Sequence, residues 1–148
     1  MAEPSRIILC SIIERYRPRG WKVIEKWPED QGGFVTRWGR VSGITVYHEK
    51  TIYCLPVFTR ESLYVFLHEC GHVHLGHGDD HESALALHEF EAEEFAKVSM
   101  RSMGIAVPRG MLRSAREYVR SCIESQPEVD QERRVLQFAY GSKWREHI

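Results

Sequence analysis

Leu63-Tyr64-Val65-Phe66-Leu67-His68-Glu69-Cys70-Gly71-His72 is the stretch on which the reading of this chain turns. Its first five residues are apolar, with no glycine or proline among them, and predict a helix buried nearly all round. On a helix, residues four apart share a face, so His68 and His72 can present two imidazoles to one metal ion. Glu69 stands beside them, within reach of a water molecule at that ion. Cys70 falls on the face away from the two histidines and reads as a packed thiol. Gly71 costs roughly 1 kcal/mol of helix propensity, which implies close approach of another backbone, expected to be the sheet.

The wider composition agrees with a cation site. Residues 61–100 hold nine acids, one base and six of the eight histidines, whereas residues 1–60 and 101–148 carry net charges of +4 and +3. Histidine and carboxylate gathered between basic flanks suit a divalent cation. Net charge over the 148 residues is −1, and no dense basic stripe borders the histidine segment, so direct binding of nucleic acid is not expected. The four cysteines are scattered without a C-x-x-C pair, which fits reduced thiols. No apolar run approaches the ~20 residues of a membrane span, and the short run at 7–13 has no cleavage site after it, so a cytoplasmic protein is expected.

The length fits one domain, 1–148, of α+β class. Its parts are an N-terminal helix within 1–20, a sheet over 21–56, metal-site helices over 57–104 and C-terminal helices over 105–148. The first helix is expected over 4–17, with Ile8, Ile12 and Ile13 on one side. Strands are expected at 21–27, 34–38, 44–48 and 51–55, the last two as a hairpin around Glu49-Lys50. Thr59 is the expected N-cap of the motif helix, 60–75. Helices follow at 83–103, after Pro108, and at about 128–139, the second marked by Met111, Leu112, Ala115, Tyr118, Val119, Cys122 and Ile123 at helical spacing.

A catalytic zinc takes three protein ligands and a water molecule. The pattern His-Glu-x-x-His-x-x-Gly-x-x-His fails, because Leu75 and Gly78 occupy the glycine and histidine places. An aspartate ten residues after the first histidine also fails, since Asp79 is eleven on. That leaves a glutamate of the helix over 83–103. Glu91 has Leu87, Phe95 and Val98 around it and is expected to face inward as the third ligand, with Glu94 as the next choice. Glu93, between Glu89 and Lys97, reads as part of a solvated face.

Residues 68–77, His-Glu-Cys-Gly-His-Val-His-Leu-Gly-His, followed by Glu89-Phe90-Glu91-Ala92-Glu93-Glu94-Phe95-Ala96, resemble the ImmA/IrrE family of small zinc metallopeptidases, which carries H-E-x-G-H-x-x-x-x-H and then E-x-E-A-x-x-F-A. The resemblance covers residues 68–96 and leaves the C-terminal third outside it. It implies a minimal thermolysin-like (gluzincin) core, zinc on His68, His72 and Glu91, and Glu69 as catalytic acid/base. His77 would cap the motif helix or bond to a ligand. It further implies a selective regulatory endopeptidase acting on a protein or peptide, a transcriptional repressor among the candidates. Two other readings keep the zinc: a regulatory binding protein, such as an anti-repressor, working by contact alone, and a hydrolase of a non-peptide bond.

Overall fold

The computed structural model describes residues 3–26, 43–78 and 85–148. Their architecture is mixed α+β and mostly helical, with five α-helices and one small three-stranded sheet. The expected strand at 34–38 lies outside the described residues.

Helix α1, Arg6–Tyr16, begins where the Ser5 hydroxyl accepts the Ile8 backbone N–H. It buries Leu9, Ile12 and Ile13, while Ile8 is half exposed, so the inward stripe is turned by one residue from the expected one. The strands are short: β1 at Lys22–Ile24, β2 at Ile44–Val46 and β3 at Thr51–Tyr53. The order is β1-β3-β2, with β1 parallel and β2 antiparallel to β3. The hairpin is present, but Tyr47–Glu49 wind into a 3-10 turn and Lys50 takes a left-handed φ of 49° to reverse the chain. Tyr47 and His48 thereby leave the first strand of the hairpin, and β3 ends at Tyr53, two residues before the expected end.

Helix α2, Arg60–His74, is capped reciprocally. The Thr59 hydroxyl accepts from the Ser62 N–H, and the Ser62 hydroxyl accepts from the Thr59 N–H. Every residue from Ser62 to His72 is buried, as the unbroken apolar run predicts. Helix α3, Leu85–Ser102, packs along α2, and Gly71 is the point of closest approach. A Cβ there would lie 3.0 Å from Phe95 Cβ and 3.2 Å from Ala92 Cα. The neighbour that requires glycine is therefore α3, not the sheet.

Helices α4, Arg109–Ser125, and α5, Arg133–Tyr140, complete the fold. Helix α5 starts five residues later than expected, because the chain turns where the Val129 N–H meets Gln126 O; Gly141–His147 then form a 3-10 segment in the charged tail. Two apolar clusters result. One joins α1, the sheet, α2 and the C-terminal half of α3 through Leu9, Ile52, Leu63, Phe66, Ala96 and Met100. The other joins the N-terminal half of α3 to α4 and α5 through Ala86, Phe90, Val119, Cys122, Val135 and Ala139. Each large side chain fully buried here contributes about 1.5–3 kcal/mol. No helix among the described residues is long and apolar enough to cross a membrane, and all four cysteines are free thiols.

Candidate metal centre

Helix α2 carries His68 and His72 one turn apart, and α3 crosses beside them at the level set by Gly71. Their Nε2 atoms lie 3.1 Å apart. Glu89 Oε2 lies 3.0 Å from the first and 3.4 Å from the second. All three residues are buried. The carboxylate brought to the two imidazoles is thus Glu89, not Glu91.

The physical reason is the phase of α3. Its buried stripe runs through Ala86, Glu89, Phe90, Ala92, Glu93, Ala96 and Met100. Ala92 and Ala96 are small because α2 passes close to them, and this close contact turns Glu89 and Glu93 inward. Val98, used to orient Glu91 inward, is 59% exposed. Glu91 is only half buried and lies against His77 and Arg134, while Glu94 pairs with Lys97. Glu93, expected in solvent, is 1% exposed.

Glu89 Oε2 has no hydrogen-bond partner, although it is buried. A buried carboxylate oxygen at ion-pair distance from two ring nitrogens, with no aligned hydrogen bond, calls for a shared positive charge. The triangle of 3.0, 3.1 and 3.4 Å also fits a cation held tetrahedrally. Ligand bonds of 2.0–2.1 Å imply ligand–ligand edges of about 3.3–3.4 Å. These three residues form a group that can hold a metal ion.

Further side chains set the two imidazoles in place. His68 Nδ1 lies 3.3 Å from Glu93 Oε1, at ion-pair distance though off the line of a hydrogen bond. The buried Tyr64 hydroxyl donates to Glu93 Oε2. A carboxylate behind a histidine fixes which ring nitrogen is left for metal. In the metal-free protein, burial opposes charge on His68, but Glu93 and Glu89 outweigh it and push its pKa up to about 10. Burial likewise opposes charge on Glu89, and the two imidazoles outweigh it, holding that carboxyl well below the usual range. The two carboxylates thus favour the protonated form of His68.

Glu69 lies on another side of α2, facing the sheet. The Thr45 hydroxyl of β2 donates to Glu69 Oε2. Gly43, just before β2, leaves room for this side chain: a Cβ there would come within 2.9 Å of both Glu69 Cγ and Tyr53 O. Cys70 is fully buried in the first cluster, as expected, and burial raises its thiol pKa. His74 bonds Tyr16 O and stacks on Phe95, joining α2 to α1.

Sequence reasoning missed Glu89, Glu93, Thr45 and Gly43. For the two glutamates a signal existed: acids four apart, interleaved with Ala92 and Ala96, mark a helix face in close contact. For Thr45 and Gly43 the sequence holds no such pattern. Comparison with known protein families, with curated proteins and with solved structures finds no match.

Proposed function

We propose that this chain is a zinc-dependent endopeptidase with a minimal thermolysin-like core, related in design to the ImmA/IrrE metallopeptidases and acting in the cytoplasm on one or a few protein substrates. The observation that carries this reading is the buried triangle of His68 Nε2, His72 Nε2 and Glu89 Oε2; a second buried carboxylate, Glu69, follows His68 in the same helix and faces the sheet. Two histidines and one glutamate are a ligand set suited to a catalytic zinc with an open position. When bound, such a cation supplies Lewis acidity to a carbonyl and acidity to a water molecule.

The chain's own residues do the rest. Thr45 occupies Oε2 of Glu69, so Oε1 is the oxygen that takes a proton from the attacking water and returns it to the leaving amine. Glu93 and Tyr64 hold His68 against rotation. Strand β2, at the edge of the described sheet, carries Thr45 beside Glu69 and offers backbone groups to an extended peptide, as in strand addition. A repressor protein is a substrate of this kind.

Metal analysis of the purified chain tests the site. The wild type is expected to carry one zinc per chain; Glu89→Ala loses it and Glu91→Ala retains it. Glu91→Ala without zinc, or Glu89→Ala with it, overturns the ligand set. Co-expression with products of neighbouring genes tests the activity. Glu69→Gln should retain zinc and abolish cleavage; an effect that survives Glu69→Gln supports action by contact instead.

A further inference from the structure

The metal-site reading leaves His77, His88 and Glu91 unused, yet they lie directly behind one ligand. After α2 ends, Gly76 and Gly78 both adopt a φ of +70°, and the His77 N–H bonds back to His72 O at 3.0 Å. This tight return places the buried His77 ring under the last turn of the helix. His77 Nδ1 lies 2.9 Å from His72 Nδ1. Its ring stacks on His88 of α3, with centroids 4.3 Å apart and planes 11° from parallel. Its Nε2 lies 3.5 Å from Glu91 Oε1, and the other Glu91 oxygen is 3.9 Å from Arg134 Nη2 of α5.

We propose that His77, oriented by Glu91 and by its stacking on His88, is a positioning residue that fixes the tautomer and ring direction of His72 and thereby sets how tightly the centre holds its cation. The inference rests on the metal reading above and follows from proton counting. A neutral imidazole that offers its Nε2 lone pair carries its proton on Nδ1. His72 turns Nε2 toward His68 and Glu89, so its Nδ1–H points at His77 Nδ1. His77 Nδ1 must then accept, which leaves the His77 proton on Nε2, facing Glu91. Each link dictates the next, and the chain of contacts runs from the centre to α5. The two ligand histidines are thus backed differently: His68 by a carboxylate, His72 by a second imidazole.

Zinc affinity by chelator competition on the full chain tests this, alongside melting of the metal-free form. His77→Phe keeps a ring for His88 but has no acceptor. It should bind zinc roughly 10–100-fold more weakly, the usual effect of removing a ligand's partner, and melt somewhat lower without metal, because the buried His72 Nδ1–H loses its acceptor. His77→Gln restores an acceptor oxygen and should recover most of that loss. Long-range proton–nitrogen NMR of the zinc-loaded wild type should place the His72 proton on Nδ1 and the His77 proton on Nε2. Wild-type affinity in His77→Phe, a glutamine variant no tighter than the phenylalanine one, or a His77 proton on Nδ1 each overturns the proposal. The NMR measurement decides even if a variant does not fold. A wild-type chain that binds no zinc overturns the metal centre itself, an outcome distinct from equal binding by wild type and His77→Phe.

Discussion

Gly71→Ala separates two opposing effects at the α2–α3 contact. Glycine inside a helix costs roughly 0.5–1 kcal/mol relative to alanine, so propensity alone makes the variant more stable. The added methyl would stand 3.0 Å from Phe95 Cβ, 3.1 Å from Phe95 Cγ and 3.2 Å from Ala92 Cα. Two of these atoms belong to or adjoin the α3 backbone, so relief requires α3 to shift by a few tenths of an ångström. Overpacking of this kind costs about 1–3 kcal/mol. The clash outweighs propensity, giving a net loss of about 1–2 kcal/mol in the metal-free form. For a chain of this size that lowers Tm by roughly 2–8 °C. The same shift moves Glu89 away from His68 and His72, which lie three residues before and one residue after Gly71. Tenfold weaker zinc binding would remove about 1.4 kcal/mol more from the zinc-saturated protein. Urea and thermal melts with and without zinc measure both quantities. A Gly71→Ala protein as stable as wild type, with unchanged zinc affinity, refutes the close-approach argument.

Other perturbations address the remaining parts of the site. Thr45→Val removes the donor to Glu69 Oε2 and leaves a buried acceptor unsatisfied; stability should fall by about 1–3 kcal/mol and cleavage should drop, while zinc content stays the same by elemental analysis. The raised pKa of His68, about 10 against an ordinary 6.5, stabilises the metal-free fold fully below about pH 6.5, and this contribution is lost as pH rises toward 10. Zinc must displace the same proton, so its affinity should rise from pH 7 toward 10, with about one proton released per zinc in calorimetry repeated in two buffers. Proton-free uptake at pH 7 would contradict the charged His68. Burial pushes Cys54 and Cys122 up to about 12 and raises Cys70, while Cys10 is exposed. A thiol reagent at pH 8 should therefore label Cys10 alone until the chain is unfolded; rapid labelling of Cys70 in the folded protein would place α2 outside the core.

Much of the scaffold is legible in the chain because it is written in local chemistry. Thr59 caps α2, the apolar run before His68 demands burial on all sides, Gly104 ends α3, and the stripe from Met111 to Ile123 commits α4 to one face. Two members of the triangle, His68 and His72, follow from one spacing on one helix. The third does not, because it depends on how two helices approach each other. Around Glu91, the large apolar neighbours Leu87, Phe95 and Val98 suggest an inward face, but close helix contact is made by small residues, and Ala92 with Ala96 turned Glu89 and Glu93 inward instead. The parallel pairing of β1 with β3 and the hydroxyl of Thr45 on Glu69 join segments distant in sequence, and nothing in either segment alone encodes the encounter.

Helix α3 belongs to both apolar clusters, and the triangle joins Glu89, among the α3 residues of the second cluster, to His68 and His72 on α2 of the first. A cation gripped there ties the N-terminal half of the described chain to the C-terminal half through a single rod. Neither half would then melt without disturbing the rod that supports its neighbour, so a bound ion would couple the unfolding of the two halves.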